Sequence, residues 1–389
     1  MRILMVLFYA ATPTPVYPQL AKKLRSLGHE VWLGTPNVAG DMTWHDGSKA
    51  VGVQRNPWNV PEKIAAIPLL GRTIRWLRDA TFLLRIRRFI ASACADVVQL
   101  DPPYRCTWLL TLFQPRRTLF VFDLHQVTGL RGGVRTLKYL VGIKVTARFF
   151  FDHACFMSES AAHRVLGPRW ERWATVHPVG VDSRFLRYQW RNGCAPRVGA
   201  VRFIYVGALS RYRKLEYLLK AAYLLSQRTK DFTLTLVGPD DTNGYHHRLI
   251  QEMSLEDRVA IKPPIPYGDV PDLLATADVA LAYVPPLADW KLQPTLKVLE
   301  YRAIGIPIIA SDNAPNREVV ESNLNGLLVE DSEQDLAAAM ERFVADRKFL
   351  EACCDRARAM RRGKTWTEVA SSYENAFYSK IRAPRRRFV

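Results

Sequence analysis

Hydrophobic positions along the chain fall into short continuous apolar runs separated by longer amphipathic segments. Continuous runs are typical of strands buried on both faces of a parallel sheet, and the intervening segments have the period of helices that cover such a sheet. In the first half the pattern predicts strands at Arg2–Phe8, Glu30–Leu33, Asp96–Leu100, Thr118–Phe122, Asp152–Ser158 and Trp173–His177. The amphipathic helix Pro18–Leu27 follows the first strand, so the chain opens as a βαβ unit.

Two segments of the first half are read differently. Arg2 followed by Ile3–Ala11 also fits a short signal peptide, but the helix and strand that follow at βαβ spacing favour a buried strand. Gly40–Pro61 contains turn formers and little periodicity, so no strand is predicted there.

A second series of strands and helices begins at Val201. Its predicted strands are Val201–Val206, Phe232–Gly238, Val259–Lys262, Val279–Val284, Pro307–Ala310 and Gly326–Val329. Its predicted helices are Leu215–Leu225, His246–Met253, Val270–Ala277, two helices within Glu333–Arg362 and a final segment, Trp366–Ile381. The pattern predicts an α/β protein with one Rossmann-like domain at 1–190, a linker at 191–200, a second domain at 201–365, and a C-terminal helix with a basic tail at 366–389.

The stretch Trp290–Asp312 carries the most informative pattern, since it predicts a loop, a short helix and a buried strand. Thr295 lies at the start of the helix and Gly305 at its end, while Lys297 and Glu300 share one face near the start. Free N–H groups, the helix dipole and a lysine would together hold a phosphate. The carboxylate could accept hydrogen bonds from a ribose diol. The alternative is a solvated ion pair on an ordinary helix.

The chain is strongly basic, with a net charge of +18 and a pI near 9.8 over 389 residues. Such a surface attracts nucleic acid, anionic lipid or phosphorylated substrates. The six cysteines are scattered without Cys-x-x-Cys spacing, which favours a reducing compartment without a structural metal. No apolar run reaches the roughly 18 residues that a membrane span needs.

Much of this charge lies in the first half. Leu69–Ala93 combines six arginines with apolar residues and has Asp79 as its only acid, which suits an anionic membrane surface. The alternative is a core helix with an ordinary solvated basic face.

Two further segments contain candidate site residues. His125 follows the predicted strand Thr118–Phe122, and the carboxyl ends of parallel strands border the ligand crevice in α/β folds. The alternative for His125 is a hydrogen-bonded buried histidine. The cationic loop Gly207–Lys214 supplies Arg211 and Arg213, which could instead be exposed surface charges.

Several short motifs occur in the order of a known family. They are Val176…Pro178…Gly180-Val181-Asp182, Val206-Gly207-Ala208-Leu209…Arg213, Leu236-Val237-Gly238, Asp278-Val279-Ala280…Val284-Pro285 and Pro294-Thr295-Leu296-Lys297…Glu300-Tyr301…Ala303…Gly305…Pro307. Together they resemble GT-B glycosyltransferases, most closely the donor-binding domain of retaining family 4. The likeness covers most of the chain from Val201 onward and the first half loosely. In the first half, His125 stands at the position where the family often has a strand-end "T-x-H".

The resemblance implies two Rossmann-like domains facing a central cleft, an acceptor side in 1–190, a nucleotide-sugar side in 201–365, and a C-terminal helix packing back on the first domain. It implies a UDP or GDP sugar as co-substrate, with no cofactor and no metal. The implied nucleotide-binding residues are Gly207, Arg211, Arg213, Thr295, Lys297 and Glu300, and the implied catalytic residues are His125, Arg213 and Lys297. Arg213, Lys297 and the helix start would hold the diphosphate, Glu300 the ribose, and His125 the sugar or the acceptor. If the reaction inverts, His125 or Asp123 is the nearest candidate base.

The chain also departs from the family. Leu292 stands where the first carboxylate of the usual Glu-x7-Glu motif belongs, and that carboxylate commonly touches the sugar. Ala208 replaces an arginine, and the glycine pair expected in the first loop is absent, with Thr12–Pro15 in its place. The nature of the sugar therefore cannot be transferred.

The resemblance implies a retaining, metal-independent hexosyltransferase of polysaccharide or glycolipid synthesis, and the basic first half favours a saccharide or lipid-linked acceptor. We expect it in the cytoplasm, on the anionic inner face of the cell membrane. The alternative is a non-catalytic GT-B-like binding or scaffold subunit. A sugar-nucleotide epimerase lacks its His/Glu/Asp constellation here, and a nucleic-acid binder has only charge in its favour.

Overall fold

The computed structural model describes residues 1–7, 16–36, 42–45, 50–53, 81, 83–101, 110, 118–124, 140–145, 147, 149–190, 199–287 and 294–382. The chain forms two compact units. Unit 1 consists of Met1–Gly180 with Trp366–Val389, and unit 2 consists of Val181–Thr365.

Each unit is built on one sheet. The strands of unit 1 are β1 (Arg2–Leu7), β2 (Glu30–Pro36), β3 (Met42–His45), β4 (Ala50–Val53), β5 (Val97–Asp101), β6 (Leu119–Leu124), β7 (His153–Phe156) and β8 (Ala174–Val176). The strands of unit 2 are β9 (Val201–Val206), β10 (Phe232–Val237), β11 (Val259–Lys262), β12 (Val279–Ala282), β13 (Ile308–Ser311) and β14 (Gly326–Val329).

Helices cover both sheets. In chain order they are α1 (Val16–Ser26), α2 (Glu159–Leu166), α3 (Ser183–Arg187), α4 (Glu216–Ser226), α5 (Tyr245–Glu252), α6 (Val270–Leu274), α7 (Leu296–Ile304), α8 (Ala314–Arg317), α9 (Glu333–Ala345), α10 (Arg347–Ala359) and α11 (Trp366–Arg382). Residues 83–92 and 140–145 are also helical. None of the helices among these described residues is long and apolar enough to cross a bilayer.

The sheet of unit 1 has the order β4-β3-β2-β1-β5-β6-β7-β8. The pairs from β2 to β8 are parallel, as the continuous apolar runs predict, and β3 and β4 extend one edge as an antiparallel hairpin. The sequence analysis placed no strand in Gly40–Pro61, and for the hairpin this was wrong. Its strands, MTWH and AVGV, are only four residues each, so they are shorter than most of the apolar runs that mark the buried strands.

The C-terminal helix belongs to unit 1. Val369, Ala370, Tyr373 and Phe377 of α11 share one hydrophobic core with strand residues such as Ile3 and with α1. The prediction that the final helix packs back on the first domain is therefore confirmed.

The sheet of unit 2 is entirely parallel, in the order β11-β10-β9-β12-β13-β14. Chain order reverses between β9 and β12, and in doubly wound sheets ligands bind outside the carboxyl ends of the strands at such a point. β9 ends at Val206, so the loop that begins at Gly207 lies at the reversal.

Candidate functional site

Lys297 is the centre of the candidate site in unit 2. It lies in the first turn of α7, and only 7% of the residue is exposed. Its Nζ lies 3.6 Å from the centroid of the Tyr205 ring, where a cation–π contact offsets part of the lost hydration. It has no hydrogen-bond partner among the described residues. A buried ammonium without an acceptor is costly, which makes an absent anion its natural partner.

Two glycines leave space for the Lys297 side chain. Gly207, at the carboxyl end of β9, has φ +149°, and a Cβ there would lie 3.2 Å from the Lys297 Nζ. Gly238, at the end of β10, has φ +154°, and a Cβ there would collide with the carbonyl oxygen of Gly207. The two strand-end loops therefore run close together and leave space for the lysine beside them.

The start of α7 adds polar groups to this space. Thr295 occupies the N-cap position, yet its side chain accepts no hydrogen bond from the helix. Its Oγ1 is buried and has no hydrogen-bond partner among the described residues. The first N–H groups of α7 and this hydroxyl therefore stand next to the lysine as donors for an anion.

Glu300 lies one turn further along α7 and is 6% exposed. Burial raises the pKa of its carboxyl to about 7, and Asp182 adds a smaller effect in the same direction. A 2.7 Å hydrogen bond from the Tyr267 hydroxyl and the charge of Lys297 act against that rise. The burial of both Lys297 and Glu300 excludes the alternative of a solvated ion pair. Asp182 caps α3 by accepting a hydrogen bond from Arg184 N at 3.0 Å.

Arg211 and Arg213 form a short 3-10 helix after β9, and the structure separates their roles. Arg213 is half-buried. Burial first, and then the charge of Arg213, hold the pKa of the Lys297 ammonium well below its usual value. Arg211 is exposed, and its guanidinium stacks 4.1 Å from the centroid of the Tyr245 ring. Gly207, Arg213 and Lys297 are thus brought together with Thr295 and Glu300, while Arg211 lies on the outer side of the loop.

Three tyrosines of the site were not predicted as site residues. Tyr205 supplies the ring beneath Lys297, Tyr267 donates to Glu300, and the Tyr301 hydroxyl accepts a 3.0 Å hydrogen bond from Val206 N at the end of β9. The last contact fixes α7 against the strand end. Tyr301 stood within the quoted motif, and Tyr205 lies two residues before the strand-end glycine, so position alone could have flagged both.

Other predicted residues cannot be placed in this cluster. His125 and Leu292 lie outside the described residues. Asp123, in unit 1, is fully buried, and its carboxylate accepts hydrogen bonds from Gln99 Nε2 and from the Tyr373 hydroxyl of α11. Asp123 therefore holds the core of unit 1 together. Among the described residues, no three His, Cys, Asp or Glu side chains are placed to hold a metal ion.

Comparisons with known proteins bear on the fold and on the relatives of the chain. Residues 189–360 match the family described as Glycosyl transferases group 1. WcaL of Salmonella typhimurium, named as a colanic acid biosynthesis glycosyltransferase, is 26% identical over 313 residues, covering 75% of each chain. Sucrose-phosphate synthase from Thermosynechococcus elongatus superposes with a TM-score of 0.71 at 19% identity, covering 97% of this chain and 98% of that one. HepE of Anabaena in complex with UDP superposes with a TM-score of 0.62 at 16% identity, covering 97% of this chain and 100% of HepE. The chain thus has the GT-B fold, and its homologues are glycosyltransferases.

Proposed function

We propose that the protein is a glycosyltransferase that moves a hexose-type sugar from a nucleoside diphosphate sugar, of UDP or GDP type, to a saccharide or lipid-linked saccharide. The observation that carries this proposal is the buried Lys297 ammonium, which lies beside Gly207 at the carboxyl end of β9 with no acceptor among the described residues. A diphosphate supplies the acceptor oxygens that this ammonium lacks. The match of residues 189–360 to glycosyl transferases supports the same conclusion.

Each side chain of the cluster then has a role in sugar transfer. Negative charge develops on the departing diphosphate, and Lys297 and Arg213 stabilise it together with the first N–H groups of α7. Glu300 accepts hydrogen bonds from the ribose hydroxyls of the donor. Two cations and a helix start supply the positive charge that a divalent ion provides elsewhere, so we propose a metal-independent reaction.

We further propose retention at the anomeric carbon, as in family 4. In that reaction the leaving phosphate takes the proton of the acceptor hydroxyl, so no protein base is required. His125 contacts the donor sugar or the acceptor. The colanic acid relative supports a role in cell-surface polysaccharide or glycolipid synthesis.

The place of action follows from the charge. A protein with a net charge of +18 is attracted to anionic lipid. We propose that it works in the cytoplasm as a peripheral protein on the inner face of the cell membrane, close to a lipid-linked acceptor.

A thermal-shift panel of UDP, GDP and ADP sugars tests the donor site. One nucleotide class should raise Tm, and Lys297→Ala and Glu300→Ala should abolish that rise while the far-UV spectrum stays native. Lys220→Ala, at an exposed position in α4, is the control and should respond like the wild type. Stabilisation by none of the sugars would favour a non-catalytic scaffold, and unchanged binding in the two site variants would refute the assignment.

A further inference from the structure

The helical segment around residues 140–149 carries apolar side chains on two opposite faces. Ile143 and Ala147 are buried. Val141, Val145 and Phe149 are 51%, 42% and 64% exposed. Their spacing of four places them in one row along the outer side of the helix. Single exposed apolar side chains are ordinary, but a continuous row marks an interaction surface.

A second helical segment, residues 83–92, shows a similar outer face. Leu83, Ile86 and Ile90 are buried, whereas Leu84 is 48% exposed and Arg88 is also exposed. This segment is the described part of the predicted arginine-rich helix Leu69–Ala93, whose residues 69–80 and 82 lie outside the description. The amphipathic prediction is confirmed for residues 83–92, although the exposed face contains a leucine among its arginines.

Strand alternation places both segments on the same side of the sheet. Val31 and Val121 point into the core formed with α1 and α11, so their neighbours Trp32 and Phe122 point to the other side. Trp32 meets Phe89 of the first segment, with ring centroids 6.1 Å apart. Phe122 meets Phe151, at the end of the second segment, with ring centroids 5.5 Å apart. The two segments therefore lie on the same side of the sheet of unit 1, opposite α1 and α11.

The described residues of these two segments carry charge of one sign. Residues 83–92 contain three arginines and no acid, and the described part of 140–151 contains Lys144 and no acid. Lys144 stands beside the exposed row on its helix, and Arg88 stands beside Leu84. Apolar side chains set among cations match an anionic bilayer surface, where the apolar groups enter the interface and the cations contact lipid phosphates.

We propose that this docking face (Leu84, Arg88, Val141, Lys144, Val145 and Phe149) binds the surface of an anionic phospholipid bilayer. The inference rests on the membrane contact proposed above and deepens it, because it names the side chains and the lipid chemistry. A second copy of the chain is a poorer occupant, since two chains of +18 repel each other. Nucleic acid is poorer too, because a row with two valines offers little surface on which bases stack.

Liposome co-sedimentation tests the proposal with the full chain. Wild-type protein should bind phosphatidylcholine vesicles containing about a third phosphatidylglycerol, bind pure phosphatidylcholine much less, and be released in part by high salt. The triple variant Val141→Ser/Val145→Ser/Phe149→Ser should partition at least about tenfold less strongly, with its Tm unchanged, because the three side chains are already exposed. The matched control Tyr223→Ser/Leu324→Ser alters side chains in unit 2 that are 40% and 43% exposed, and it should bind like the wild type.

A charge variant separates the two contributions. Arg88→Glu/Lys144→Glu should abolish the preference for phosphatidylglycerol and leave only the weak binding to phosphatidylcholine. The proposal is overturned if the triple variant binds as the wild type does, or if wild-type binding ignores lipid charge. It is also overturned if the wild type binds no vesicle, and a dimer seen by analytical ultracentrifugation and lost in the triple variant would then identify a second copy as the occupant.

The same variants keep this proposal separate from the proposed activity. The triple variant should show the wild-type thermal shift with the nucleotide that stabilises the protein, since the donor site lies in unit 2. Vesicle binding without any thermal shift by a nucleotide would support the docking face and contradict the transferase proposal. A nucleotide-induced thermal shift without vesicle binding would support the transferase proposal and contradict the docking face.

Discussion

Two buried charges lie near carboxyl ends of strands, one in each unit. Asp123 in β6 is fully buried, and its carboxylate accepts hydrogen bonds from Gln99 and Tyr373. Lys297, beside the end of β9, is almost as deeply buried, yet its ammonium meets only the face of the Tyr205 ring and no acceptor among the described residues.

The difference separates structure from function. Removing a charge from water is unfavourable in both places, and only Asp123 regains hydrogen bonds within the fold. An unpaired buried ammonium persists in a protein when a ligand later supplies its partner, because selection acts on function above a stability threshold. Asp123 is therefore part of the finished core, whereas Lys297 is the residue at which we propose that an anionic substrate binds.

The largest effect is expected for Lys297→Met. The loss of the cation that faces the leaving phosphate should lower kcat/KM about a thousandfold, or about 4 kcal/mol. The free protein should nevertheless become more stable, since the pKa of the Lys297 ammonium lies well below its value in the unfolded chain. The difference in free energy of unfolding between the wild type and Lys297→Met should shrink as pH rises toward the ordinary lysine pKa, because the unfolded chain also loses the proton there. Steady-state kinetics and denaturant unfolding measure the two effects.

Lys220→Met is the matched control for this variant, because Lys220 is exposed on α4. It should change neither rate nor stability. If Lys297→Met were less stable than the wild type, or still bound the nucleotide tightly, Lys297 would be a structural lysine like any other.

Asp123→Ala tests the opposite side of the contrast. The change leaves the donors of Gln99 and Tyr373 buried without an acceptor, and we expect a loss of about 3 kcal/mol in the free energy of unfolding. Tyr373→Phe removes one donor and leaves the carboxylate with the other, so it should cost about 1 kcal/mol. The nucleotide-induced thermal shift should survive in both variants. Equal stability of Asp123→Ala and wild type would show that the buried network is dispensable.

Glu300→Gln gives a pH signature. Burial raises the pKa of the Glu300 carboxyl to about 7, so its protonated form is the one the fold prefers. The contribution of this carboxyl to the free energy of unfolding is fully present below its unfolded pKa, near 4.5, and is lost as pH rises through 7. The stability advantage of Glu300→Gln over the wild type should therefore grow by about 2 kcal/mol between pH 5 and pH 7. Urea unfolding at both pH values measures it, and a constant difference would contradict the assignment.

The two units also differ in how well their strands could be predicted from the sequence. In unit 2 the strands Val201–Val206, Val259–Lys262 and Gly326–Val329 were predicted to the residue, because continuous apolar runs bounded by glycine or charged residues have sharp ends. In unit 1 the hairpin of β3 and β4 was missed. Its strands are only four residues long, and pairing with a neighbour stabilises them more than their own pattern does.

The candidate site, too, could be predicted from the sequence only in part. Helical spacing was enough to place Lys297 and Glu300 on one face, whereas the close approach of Gly207 and Gly238 was not predicted. The pKa of Glu300 could not be predicted, because it depends on burial and on Tyr267, which lies 33 residues away in the chain. Nor does the sequence say which aromatic ring packs under a lysine, since that depends on the register of α7 against β9.

The smallest effect concerns the two arginines after β9. Arg213 is half-buried and acts on Lys297 electrostatically, whereas Arg211 is exposed and stacks on Tyr245. Arg213→Ala should weaken nucleotide binding by roughly 10- to 30-fold, or about 2 kcal/mol, and Arg211→Ala by about threefold or less.

Because Arg213 lowers the pKa of Lys297, its removal should raise that pKa and leave the free energy of unfolding equal or higher. The two losses of affinity in Arg213→Ala/Lys297→Met should also be less than additive, since both cations serve one anion. Isothermal titration of the four proteins measures the cycle, and a larger loss from Arg211→Ala than from Arg213→Ala would move the phosphate contact to the outer side of the loop.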